Sequence, residues 1–167
     1  MCGIAGFQGD YPQELLPEMA RALAHRGPDG EGWTWQRAEG TAPVGFAHRR
    51  LAIIDLDERA AQPMTTVCPS CGSGGLADLA LVYNGELYNY RELRAELVAR
   101  GHRFRSQSDT EVLLHLYAEQ GPAMLSRLNG MFALALYDGR ARGQRDGVEP
   151  GDVLLARDHL GIKPLYY

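Results

Sequence analysis

The chain has 167 residues, of which 45% are hydrophobic and 23% charged, and a formal net charge of -4. That length and composition fit one ordinary globular domain, or one with a small appendage, and the acidic balance argues against a nucleic-acid binder, which carries a basic face. No apolar run approaches the roughly 20 residues that span a bilayer, and the N-terminus lacks the basic and apolar regions of a secretory signal, so the expectation is a cytoplasmic protein.

In chain order, Gly3 to Phe7 reads as a short apolar strand. Pro12 to His25 places Leu15, Met19 and Leu23 near helical spacing and predicts an amphipathic helix, which Arg26-Gly27-Pro28-Asp29-Gly30 breaks. Thr34 to Gln36, Gly45 to Arg49 and Ala52 to Leu56 read as strands or extended segments, and Thr65 to Asp78, rich in Thr, Ser, Gly and Cys, as a loop. Leu79 to Tyr83 is an apolar strand that ends at Asn84-Gly85, a pair that favours turns and positive φ. Asn89 is the expected cap of a helix through ELRAELVAR to Gly101. Ser108 to Glu111 forms a stronger capping box, opening the helix EVLLHLYAEQ that ends at Gly121. Met131 to Tyr137 and Val153 to Arg157 read as buried strands joined by a polar, Gly-rich surface connection. Leu165 to Tyr167 looks like the start of another strand, which suggests a C-terminally truncated unit. The order of elements is an α+β pattern, and no internal repeat is evident.

The three cysteines are Cys2, Cys68 and Cys71. An odd count with one pair three apart is a poor disulfide framework, and cytosol keeps thiols reduced. Cys2 follows the initiator Met, and a small residue there permits Met removal, leaving a free α-amine beside the thiol. Such an amine titrates near pH 8, so it can serve as the base that activates the adjacent nucleophile. Taken alone, Cys2 reads more simply as a small buried residue at the start of a strand.

The remaining motifs change that balance. MCGIAGF, HRGPDG (25–30), HRRLAIIDL (48–56), AQPM (61–64), VYNGELYN (82–89), SDTEV (108–112), LNGMFALALYD (128–138) and ARDHLGIKPLYY (156–167) occur in order over nearly the whole chain. Together they resemble the class II glutamine amidotransferases, an N-terminal-nucleophile hydrolase family. HRGPDG and YNGELYN look like the glutaminase domain of asparagine synthetases. Phosphosugar and purine-pathway amidotransferases differ after HRG and carry a histidine before NG. The resemblance implies a four-layer αββα sandwich, with residues 1–167 forming the glutaminase domain and no synthetase domain in the chain.

The resemblance also implies roles. The Cys2 thiol attacks the side-chain amide of glutamine, giving a thioester and ammonia, and water then releases glutamate. Asn84 matches the residue whose amide stabilises the oxyanion, together with the Gly85 N–H, and the absent Cβ of Gly85 allows close approach. Alone, Asn84-Gly85 is also an ordinary hairpin turn. Arg50 matches the arginine that forks the substrate α-carboxylate, while Arg49 is expected to be solvated. Glu86 and Asp109 match residues around the α-ammonium, with backbone groups near Leu51 and Ile53. Asp109 also suits a first-turn helix acid. His25 and His48 read as hydrogen-bonded core or loop residues rather than general bases. Asp158, His159 and Lys163 read as shaping the fold and an interdomain surface.

Two features depart from the family pattern. Cys68-Pro-Ser-Cys71-Gly is a CxxC knuckle in a loop, but structural zinc needs four ligands and no second CxxC is present. A plain variable loop is the preferred reading, ahead of a zinc site completed by another chain or a redox pair. The synthetase half, expected to bind ATP and Mg, is also missing, and Ser73-Gly74-Gly75 reads as coincidence. The leading expectation is a glutaminase without cofactors, acting on glutamine and passing ammonia to a synthetase domain or partner chain that makes asparagine from aspartate and ATP. No metal, nucleic acid or membrane partner is expected, and a homodimer is compatible. The second reading is a catalytically incomplete docking domain. A third is a zinc-dependent interaction module built on Cys68 and Cys71.

Overall fold

The computed structural model of the chain describes residues 1–66, 78–140 and 147–167. Two antiparallel sheets form its centre. The first comprises β1 (Gly3–Gln8), β2 (Gly30–Gln36) and β3 (Val44–Arg50) in the order β1-β3-β2. The second comprises β4 (Met64–Thr66), β5 (Leu79–Leu87), β6 (Gly130–Asp138) and β7 (Asp152–Arg157) in that spatial order. Helix α1 (Leu15–Ala22) covers the first sheet, while α2 (Tyr90–Ala99) and α3 (Asp109–Gln120) cover the second.

Side-chain alternation sorts the layers. In β5, Leu79, Leu81, Tyr83 and Leu87 join the cluster under α2 and α3, whereas Ala80 and Val82 face the other sheet. In β6, Phe132, Leu134 and Leu136 face the helices, and Ala135 and Tyr137 face inward. Val44 and Phe46 of β3 complete the inter-sheet layer, and Ala47 turns the opposite way to meet Leu16 and Ala20 of α1. These strands are covered on both faces, which is why their sequences are nearly continuous apolar runs. The architecture is the expected α+β sandwich of two sheets between helical layers.

Several local expectations change. The first helix is shorter than Pro12 to His25, since α1 gives way to a 3-10 turn at Ala24–Arg26. Ala52 to Leu56 is a loop, not a strand. Asp55 sits at φ 57, and its carboxylate takes the N–H groups of Asp57 at 3.0 Å and Gln107 at 2.6 Å. Ile53 and Leu56 are 68% and 77% exposed, so no apolar pairing draws the segment into a sheet. Asn84-Gly85 lies within β5, not in a turn, because β5 stays paired with β6 through Leu87. Asn89 makes no helix cap. It takes the Asn129 N–H at 3.1 Å and donates to Arg127 O at 2.9 Å, pinning the strand-to-helix corner to the chain before β6. Ser108 caps α3 by accepting the Thr110 N–H, but the Glu111 carboxylate turns to the Arg105 and Ser106 N–H groups instead of closing a capping box. Leu165 to Tyr167 forms no strand. Cys68 and Cys71 lie outside the described residues.

Candidate active site

Cys2 enters β1, whose pairing with β3 fixes the N-terminus at one end of the first sheet. Ile4 packs into the inter-sheet layer, so alternation turns the Cys2 side chain to the same face. The Cys2 Sγ meets the backbone of Leu51, whose N–H points at the sulfur at 3.4 Å and whose carbonyl lies at 3.7 Å. The HRGPDG segment holds that backbone in place. Asp29 donates its N–H to Arg50 O at 3.0 Å and takes the Ala52 N–H on Oδ2 at 2.9 Å. Arg49, expected in solvent, is instead mostly buried, donating to Gly27 O at 3.0 Å and pairing with Glu31.

The second wall is the edge of β5. Peptide groups along a strand point alternately to its two neighbours. Tyr88 N–H bonds Asn129 O across the β6 side, which assigns the even residues of β5 to β6 and the odd ones to the opposite edge. On that edge the Tyr83 N–H goes to Gln62 Oε1 at 2.7 Å, and the Leu87 N–H to Asp109 Oδ2 at 3.0 Å. Strand β4 pairs only as far as Leu81, so the Gly85 N–H between those two donors opens onto the cavity. Asn84 follows Ala80 and Val82 on the inter-sheet face, the face that Cys2 also addresses, and is 6% exposed. A Cβ on Gly85 would collide with Met131 O and lie 2.7 Å from Phe132 Cβ. Close cross-strand contact with β6, rather than room for substrate, is therefore what requires glycine there.

Arg50 reaches the carbonyls of Asp55 and of Asp57, the latter at 3.0 Å, so it ties down the 51–57 loop while lining the cavity. Asp109, at the first turn of α3, takes the Tyr83 hydroxyl at 3.1 Å in addition to the Leu87 N–H. Burial pushes its carboxyl above the usual range, and the Leu87 and Tyr83 bonds oppose that push. Burial also raises Tyr83 well above an ordinary phenol.

All eight candidate residues, Cys2, Arg50, Leu51, Ile53, Asn84, Gly85, Glu86 and Asp109, line one cavity of about 90 Å³. Gln62, Tyr83 and Lys163 share its wall without having been singled out for it. Gln62 stood in the AQPM block and Tyr83 beside the NG pair, but neither motif signalled that they hydrogen-bond to each other across β5. His25 and His48 do not line it. His48 is fully buried in β3, as expected of a core histidine, but neither ring nitrogen has a geometric hydrogen-bond partner among the described residues. Burial lowers it to about 4, with the Tyr83 backbone opposing and Arg50 adding to the effect.

The candidate site is thus a thiol beside the first residue, set between two sheets and sharing a cavity with the open edge of β5. The model of the glutamine amidotransferase domain family matches residues 1–167, and the chain belongs to that family. Asparagine synthetase [glutamine-hydrolyzing] 3 of Bacillus subtilis is 41% identical over the whole chain, and asparagine synthetase B of Escherichia coli 42% over 89% of it. The chain spans 25% and 23% of the length of those relatives. The B. subtilis glutamine phosphoribosylpyrophosphate amidotransferase structure shares the fold, with a TM-score of 0.62 at 24% identity, covering 82% of this chain and 34% of that one.

Proposed function

We propose that the chain, once Met1 is removed, hydrolyses glutamine through Cys2 and passes the ammonia to a synthetase domain that makes asparagine from aspartate. The observation that supports this reading is a single cavity lined by Cys2, Asn84 and Gly85, whose N–H has no partner among the described residues. The α-amine of Cys2 takes the thiol proton as sulfur attacks the substrate's side-chain carbonyl carbon. The resulting oxyanion is held by Asn84 Nδ2 and the Gly85 N–H, a type of donor that contributes about 10²–10³ in rate. Collapse returns the proton to the leaving nitrogen, releasing ammonia and leaving a thioester. Water activated by the same amine then frees glutamate. Arg50 holds the α-carboxylate, and Asp109 and Glu86 receive the α-ammonium. The reaction needs no cofactor, and ATP and Mg belong to the synthetase step. A cytoplasmic setting suits a free thiol nucleophile.

The test is glutamate release by the purified chain after mass spectrometry shows that Met1 is gone. Activity abolished by Cys2→Ala supports the reading, and equal activity in that variant refutes it.

A further inference from the structure

Lys163 lies in the turn after β7, where Asp158 gathers the backbone. The Asp158 carboxylate accepts N–H donors from Phe132, Leu160, Ile162 and Lys163 at 2.9 to 3.1 Å. This clamp directs the Lys163 side chain inward, where the residue is 4% exposed and lines the same cavity as Cys2. Its Nζ has one hydrogen-bond partner among the described residues, Met1 Sδ at 2.6 Å. A thioether is a weak acceptor, so this buried cation is poorly compensated, and burying a charge without a proper partner is costly. Excision of Met1 removes even that contact and creates a new amine at Cys2.

We propose that Lys163 is a positioning residue for the glutaminase reaction, its buried cation holding the Cys2 α-amine in the neutral form that accepts the thiol proton. The proposal rests on the glutaminase reading of Cys2. Met1 Sδ is five bonds from the Cys2 nitrogen, which places that nitrogen within roughly 9 Å of Nζ. Two like charges at that range, partly shielded from water, repel enough to move an amine titration by about one pH unit. The other groups facing this end of the chain are Arg50 after β3, His48 in β3, Tyr83 and Glu86 in β5, Asp109 in α3, Arg26, which packs on Gly3, and two carboxylates held by backbone N–H groups, Asp29 at Ala52 and Asp158 at Lys163 itself. Arg50 and Arg26 act in the same direction as Lys163 but are only half-buried, Asp109 is tied to β5, and His48 is neutral at pH 7. Glu86 acts in the opposite direction and is only half-buried, whereas Lys163 is fully buried.

The experiment uses the full chain with Met1 removed and the cysteine α-nitrogens labelled with ¹⁵N, following the Cys2 amine by NMR from pH 5 to 10. Lys163→Met and Lys163→Gln are expected to raise its titration midpoint by about one pH unit, and Lys163→Arg to restore it. The acidic limb of the glutaminase pH profile should move by the same amount. Two neutral variants guard against one that fails to fold. A midpoint unchanged in a folded neutral variant overturns the proposal. Loss of stability with an unmoved midpoint does so too, since it marks a structural lysine. Absence of Cys2-dependent hydrolysis in the unsubstituted chain sinks the glutaminase reading instead, while the NMR midpoint still decides what Lys163 does to the amine.

Discussion

The Leu51 N–H points at Cys2 Sγ from 3.4 Å, so the proposed nucleophile is held by backbone that belongs to the turn after β3. That backbone rests against Gly27. A Cβ there would lie 2.5 Å from Arg50 C and 2.6 Å from Arg49 C. Gly27→Ala must therefore push the 49–51 backbone away and draw Leu51 from the sulfur. The expected result is a kcat/KM for glutamine lowered about 10²-fold, the loss typical of roughly 1 Å misplacement. Slower alkylation of Cys2 by a glutamine-like chloroketone should accompany it. Unchanged labelling and turnover would show that the Leu51 contact is dispensable.

Asp109 joins the start of α3 to β5 by accepting the Leu87 N–H and the Tyr83 hydroxyl on one oxygen. Asp109→Ala strands two buried donors, each costing about 1–3 kcal/mol. Asp109→Asn keeps an acceptor oxygen and should cost under about 1 kcal/mol, but it removes the charge assigned to the substrate ammonium. Urea denaturation should separate the two variants in stability, while both raise the KM for glutamine. Equal stability would mean that Asp109 does not tie α3 to the strand.

Arg50 uses two guanidinium N–H groups on the Asp55 and Asp57 carbonyls. Its remaining donors are those available to a carboxylate. Lysine retains the charge but lacks the planar fork, and cannot serve loop and substrate together. Arg50→Lys should raise KM about tenfold or more with a smaller change in kcat, the pattern of lost uniform binding. A fall in kcat at constant KM would remove Arg50 from substrate binding.

The sandwich was legible because β5 and β6 carry apolar residues on both faces and because Ser108 and Gly121 delimit α3. The site residues were legible only through motif resemblance, since nothing local in HRRLAIIDL reports that Arg50 bends back onto Asp55 and Asp57. The same segment misled as a strand because a short apolar run reads alike whether or not a partner strand exists, and Ile53 and Leu56 stay exposed. The sequence places Lys163 among residues that shape the fold and an interdomain surface, but not in the cavity wall, because its burial there depends on the Asp158 clamp, a set of backbone bonds with no signature in composition. Asn89 was read as a cap because its side chain suits one. Its actual partners are residues 127 and 129, which are distant in sequence and invisible to a local reading.

His48 makes acid stability measurable at one residue. Its folded value of about 4 lies below the unfolded 6.5, so the unfolded chain binds a proton that the folded chain refuses between those values. Stability is therefore complete above pH 6.5 and falls as pH drops toward 4, by about 3 kcal/mol at the lower end. Glu111 acts in a different window, while Asp109, raised by burial, takes up a proton more readily when folded and opposes the loss. Burial pushes Glu111 upward, but its bonds to His115, Ser106 and the Arg105 N–H hold it at about 2, so its contribution is lost only below 4.5. Denaturant titrations at pH 7.0, 6.0, 5.0 and 4.5 should show a steady loss in the native chain. His48→Phe fills a similar volume without a titrating ring, and its stability should be nearly flat over the same range. A slope equal to that of the native chain would place the proton-linked step elsewhere.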